Sequence, residues 1–140
     1  MFNITRLIYD ELKAEDPDLK IFTEEREDRS EVWLQFGIDN GGSYRIRFIN
    51  TEDNNEVAVR VFGIASIAKD QIPRILPVIN QLNAKYRFAK LVCDNDGDIN
   101  LSYDFFAHSI HPEKCAMEVL VRVVDIIDDV YPAIMRALWG

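Results

Sequence analysis

Two places along the chain carry residue types that could hold a metal. His108 and His111 lie near Asp104, Glu113 and Cys115, the kinds of side chain zinc takes. A His-x-x-His in a loop, however, places its rings less reliably than i, i+4 on a helix, and a catalytic zinc site needs three protein ligands and an open position. These residues therefore read as loop and helix-cap positions. The acidic run Asp94-Asn95-Asp96-Gly97-Asp98 resembles part of a calcium loop, but counting back from Gly97 puts Val92 at the first ligand position, and strands rather than helices flank it. Asp96-Gly97 reads instead as a hairpin turn. Ser43 follows Gly41-Gly42 without the strand-turn-helix setting of a nucleophile elbow, and no glycine-rich loop ends in Lys-Ser or Lys-Thr. Carboxylates are too many for any pair of them to stand out as acid and base. The expectation is a non-enzymatic protein with no catalytic, metal or cofactor-binding residues.

Composition sets the frame. A chain of 140 residues, 48% hydrophobic, fits a single domain over 1–140 that buries a core unaided. The formal charge of -8 disfavours attraction to nucleic acid or to anionic membrane. Cys93 and Cys115 lack a short-spaced companion, which suits a reducing, cytoplasmic setting. The amphipathic N-terminus reads as neither a signal peptide nor a membrane span.

The periodicity yields the elements. Ile4, Leu7, Ile8 and Leu12 recur at helical spacing, predicting a helix over residues 4–14 capped by Asn3 or Thr5. From Leu19 the period becomes alternating. Val32, Leu34, Phe36 and Ile38, then Tyr44, Ile46 and Phe48, then Val57, Val59 and Val61 predict a meander of three or four antiparallel strands with turns at 39–42 and 52–55. Residues 63–69 read as a crossover to a second helix, whose start is blurred by Pro73 and Pro77. Ile72, Ile75, Ile79, Leu82 and Tyr86 form its stripe; Asn83 falls on the stripe's edge and Asn80 on its flank, so Asn83 should brace neighbouring backbone. Strands over 88–93 and 99–105 flank the acidic turn. A last helix, opened by Pro112, runs almost to Trp139.

That last helix is apolar over about two thirds of its circumference. Met117, Leu120, Val121, Val124, Ile127, Tyr131, Ile134 and Leu138 form one stripe; Val119, Val123, Ile126 and Val130 lead a second. One sheet cannot cover both. Either the first helix packs across the second stripe or a second subunit does. The outward face of the meander is expected to show Trp33, Gln35, Arg45, Arg47, Arg60 and Phe62, a cationic and aromatic set able to grip an acidic or extended peptide; pairing of these arginines with Glu24, Glu31, Glu56 or Asp104 is the plainer reading.

Together the elements give an α+β fold, an antiparallel sheet with helices on one side in the order α-β(3–4)-α-β-β-α. The run Val78–Lys90, with its Asn80-x-x-Asn83, followed by the acidic hairpin, Leu101-Ser102-Tyr103-Asp104 and Asp128-Asp129-Val130-Tyr131-Pro132, resembles the bacterial YbjN domain family. The resemblance spans residues 30–135 and is strongest in 78–105. It implies a fold similar to class I type III secretion chaperones, which bind effector segments as homodimers, and it carries a label of sensory transduction regulator. Asn80, Asn83 and Tyr131 match its pattern and are taken as fold determinants; no catalytic residue comes with it. The functional expectation is a protein-binding or chaperone-like domain that forms a homodimer and acts through protein contacts, with a partner the sequence does not name. The alternative is a small-molecule-sensing regulatory domain, which would hold its ligand in a closed, half-polar cavity.

Overall fold

A computed structural model describes residues 1–39, 41–51, 56–107 and 111–139. Helix α1 (Asn3–Glu15) leads into strands β1 (Ile21–Glu25), β2 (Ser30–Gly37), β3 (Ser43–Asn50) and β4 (Glu56–Ser66). A 3-10 turn (Lys69–Gln71) enters α2 (Ile72–Lys85), followed by β5 (Lys90–Cys93), β6 (Asp98–Ser102), β7 (Phe105–Phe106) and α3 (Pro112–Trp139). All seven strands form one antiparallel sheet in the order β1-β2-β3-β4-β6-β5, with β7 also on β4. The fold is α+β, as the periodicity predicts.

Alternation is what divides the sheet into two faces. Val32, Leu34, Tyr44, Ile46, Phe48, Val57, Val59, Val61, Leu91, Ile99 and Leu101 are all buried and share one hydrophobic cluster with residues of the three helices. In α1, Ile4, Ile8 and Leu12 face this cluster as expected. The capping expectation fails: Phe2 holds the N-cap position, and no side chain caps it. Thr5 is instead fully buried, its hydroxyl 2.6 Å from Ser30 Oγ and accepting from Asn50 Nδ2 at 2.8 Å. A buried hydroxyl must find partners, and these two sit at paired positions of β2 and β3. The polar trio thereby fixes the seat of α1 on the sheet.

Helix α2 runs unbroken from Ile72, with Pro73 in its first turn and Pro77 within it. Ile75 and Ile79 are its buried residues. Strand β4 corrects a boundary: the segment read as a crossover from Gly63 is strand as far as Ser66, carried past an irregularity between Val61 and Ala65 at which Gly63 takes φ 70°. The acidic turn is a hairpin. Asp94 Oδ1 accepts the amides of Asp96 (2.9 Å) and Asp98 (3.0 Å), and Gly97 sits at φ 88°. A Cβ at Gly97 would stand 2.1 Å from the Ile67 carbonyl oxygen, so only glycine fits. The hairpin's second strand ends at Ser102, not at residue 105, and β7 is a separate two-residue strand.

In α3 the buried residues Pro112, Ala116, Val119, Val123, Ile126, Val130, Ile134 and Leu138 follow one another at intervals of three and four, with Ile127 buried beside Ile126. The two predicted stripes thus merge into one seam. It takes Val119, Val123, Ile126 and Val130 from the second stripe and Ile127, Ile134 and Leu138 from the first. Those four are buried within the chain itself, where α3 packs against α1, α2 and β4. Val121, from the first stripe, stays 58% exposed.

Asn83 closes the outer edge of β5. Its Nδ2 donates to the Leu91 carbonyl at 2.9 Å and its Oδ1 accepts the Leu91 amide at 2.7 Å. One side chain thus reproduces the pairing a neighbouring strand would give. Losing both bonds from a half-buried site costs about 1–3 kcal/mol. Asn83→Ala is expected to lower the melting temperature by roughly 3–10 °C in calorimetry. Asn83→Asp, which keeps the acceptor but loses the donor, should fall between, and Asn80→Ala, at an exposed position, should change little.

Candidate peptide-binding surfaces

The outward face gathers the residues expected there. Phe22 and Trp33, cross-strand partners, stack with ring centroids 4.2 Å apart, and the guanidinium carbons of Arg45 and Arg47 lie 4.4 and 5.4 Å from the Trp33 centroid. Arg47 forms an ion pair with Glu31, whose side chain is only 5% exposed, and Arg60 forms one with Asp104. A carboxylate so little exposed needs its partner. Two of the three arginines are thus already matched by carboxylates, and Trp33 has Phe22 and the arginines against it. Phe62 remains 56% exposed.

A larger apolar feature lies on the helix side, and alternation does not reveal it. The loop 86–89 after α2, the junction of β6 and β7, and the N-terminal half of α3 enclose two adjoining hollows of about 280 and 330 Å³. Phe88, Tyr103 and Arg122 line both, so the hollows form one trough open to solvent. Its walls are mainly apolar: Phe88 packs on Tyr103 at 6.1 Å, Ile126 borders one lobe, and Val119, Phe105 and Phe106 border the other. Phe88 and Phe106 are each 65% exposed. The rim is charged, with Arg122 donating to Glu118 at 2.9 Å. One sequence signal points here. Phe105 and Phe106 are adjacent in a strand, so both rings cannot face inward.

The end of the trough near α2 is held by Asp129. Its Oδ2 accepts from Lys85 Nζ at 2.7 Å and from the Tyr86 hydroxyl. Tyr131, two residues on and so on α3's other flank, packs near Tyr44 at 6.4 Å, and Asn80 stands exposed without a role in either surface. Of the possible metal ligands, His111 Nδ1 lies 3.2 Å from Glu113 Oε1, and His108 is outside the described residues. No group of three His, Cys, Asp or Glu among the described residues could hold a metal, and no helix among them is long and apolar enough to cross a membrane.

Residues 35–140 match the model of a family described as TY-Chap1, T3SS (YopN, CesT) and YbjN peptide-binding chaperone 1. No curated protein matches the chain. No solved structure matches it either.

The Asp129 contacts make the α2–α3 join depend on pH. The Lys85 ammonium, and after it the Tyr86 hydroxyl, hold the Asp129 carboxyl below its ordinary range; burial, helped by Asp129, raises the Tyr86 phenol well above its own. A depressed carboxylate stabilises the fold above its unfolded value and ceases to as pH falls below about 4; a raised phenol does so until pH climbs above about 10. Asp129 and Lys85 are about half exposed. The melting temperature of Asp129→Asn should therefore lie only roughly 1–3 °C below the parent's at pH 7. That gap should vanish below pH 4.

Proposed function

The chain belongs to this family of peptide-binding chaperones, and from that premise we propose that it holds an extended, apolar segment of a partner protein in the trough between α3 and the β6–β7 junction. The observation that carries the reading is the trough itself, a continuous, solvent-open hollow walled by aromatic and aliphatic side chains with two exposed phenylalanines at its lips. An exposed phenylalanine gives up roughly 1.5–3 kcal/mol relative to a fully buried one, and a ligand that covers both rings recovers much of it. Exposed apolar side chains gathered into one contiguous hollow, unlike singly exposed ones, mark interaction sites.

The shape favours peptide over small molecule. A sensor encloses its ligand in a cavity that buries most of it, with a few converging polar groups. These two lobes are open and joined end to end, and together they run along α3 from Cys115 to Ile126. An extended peptide places alternate side chains on one side about 6.8 Å apart. Adjoining lobes of this size take two such side chains, while the charged rim meets solvent and the peptide backbone.

The test is fluorescence anisotropy with a labelled peptide carrying leucine or phenylalanine at alternate positions and polar residues between them. Phe88→Ser and Phe106→Ser should each weaken binding about tenfold while leaving the melting temperature within a degree or two, since both rings are already exposed. A double variant that binds the peptide as tightly as the parent would show that the trough is not the site.

A further inference from the structure

The two outer strands of the sheet are finished differently. Asn83 closes β5, whereas β1 has no strand beyond it among the described residues. At the turn into β2 the Arg26 amide donates to the Arg29 carbonyl at 2.8 Å, so these two residues form a hydrogen-bonded pair. Hydrogen-bonded and non-hydrogen-bonded pairs alternate along an antiparallel ladder. In the register Phe22–Trp33 and Glu24–Glu31, the backbone of Phe22 and Glu24 therefore serves β2, and that of Ile21, Thr23 and Glu25 faces the open edge. Such an edge is a template for another extended chain.

The side chains beside the edge select which chain. Lys20 is exposed and forms no ion pair among the described residues. Phe22, stacked on Trp33, is still 44% exposed, and Glu24 meets Arg26 at the surface. A second copy of this chain laid antiparallel against β1 must set edge-facing residues against edge-facing residues, and two-fold symmetry then leaves few registers. Centring the axis on Phe22 sets that ring against its mate, Ile21 against Thr23, and Lys20 against Glu24 on both sides of the axis. Centring it on Thr23 would set Lys20 against Arg26; on Glu24, two carboxylates together; on Ile21, Asp18 against Glu24. We propose that two copies of this chain join through β1 in the register centred on Phe22, so that one sheet runs across both. Non-hydrogen-bonded pairs bring side chains closest, and the two Phe22 rings cover one another there. Each copy carries a charge of -8, which opposes an arbitrary approach. The crossed Lys20–Glu24 pairs put opposite charges where the copies touch.

This edge shares no residue with the trough, so the two readings fail separately. The test is sedimentation equilibrium of the full chain from about 1 to 200 µM, where the parent should show a reversible monomer–dimer equilibrium. Lys20→Glu sets like charge against Glu24, and Glu24→Lys sets like charge against Lys20, so each variant alone should dimerise about tenfold more weakly. An equimolar mixture of the two should associate as tightly as the parent, because every crossed pair is then opposite in sign again. Thr23→Pro removes an edge-facing amide, which an outer strand tolerates, and should abolish the dimer while the chain melts close to the parent. Phe88→Ser should leave the dimer unchanged. A parent that stays monomeric over this range overturns the inference. So does a dimer indifferent to Thr23→Pro, a mixture no tighter than its components, or a dimer lost on Phe88→Ser.

Discussion

The inward face of the sheet must be kept from water, and most of the remaining structure is arranged around that need. Val32, Ile46, Phe48, Val57, Val59, Val61, Ile99 and Leu101 are all essentially inaccessible, and fully burying each side chain of this kind contributes roughly 1.5–3 kcal/mol. Coverage comes from three helices set by different means. Helix α1 is positioned by the Thr5–Ser30–Asn50 contacts, which are directional as apolar packing is not. Helix α2 is tied to the sheet through Asn83 and to α3 through Lys85, Tyr86 and Asp129. Helix α3, 28 residues and roughly 40 Å long, spans the gap between the other two.

A one-sided sheet also has edges and an outer face to manage. At β5 the edge is closed by a side chain, because the Asn83 amide supplies one donor and one acceptor at the spacing Leu91 presents. The outer face is held by cross-strand contacts. Phe22 stacks on Trp33, Arg47 matches the little-exposed Glu31, and Arg60 matches Asp104. Most cationic and aromatic groups there are thus spoken for inside the chain. What is left without a carboxylate partner gathers at the bulge of β4, where Arg45 and Phe62 border one shallow depression.

Local rules carried much of this into view from the sequence. Strict alternation placed β2, β3 and the first half of β4, Pro112 marked the start of α3, and angular position on a helix was enough to set Asn83 toward backbone. Other features depended on non-local choices. Gly63 reads as the end of a strand, yet Asn100 holds its amide and β4 continues. Two stripes on α3 became one seam because α3 is covered by α1, α2 and β4 together, so Val119 and Val123 of one stripe and Ile127, Ile134 and Leu138 of the other are all buried. Thr5 looks like a cap by position, and only the facing Ser30 and Asn50 make it a core residue. Phe88 belongs to a segment read as strand from residue 88, and its exposure follows from β5 beginning only at Lys90, whereas Phe106, next to Phe105 in β7, is the ring that alternation turns outward.

Those stopping points also explain where the trough lies. Strand β5 begins at Lys90, opposite Ser102, so it does not continue beside Tyr103 and Asp104, while β7 resumes farther along β4. Over that stretch the chain before β5 turns up toward α3 as the loop 86–89. Helix α3 is straight in its demand for cover: Val119 and Ile126 belong to the same buried seam as Ile134, yet they border the hollows. The seam therefore outruns the sheet beneath it. Phe88, Tyr103 and Phe106 stand around the shortfall: Phe88 lies in the loop before β5, Tyr103 just after β6, and Phe106 ends β7. The proposed extended segment lies along this shortfall, where side chains about 6.8 Å apart on one side of it enter the two adjoining lobes.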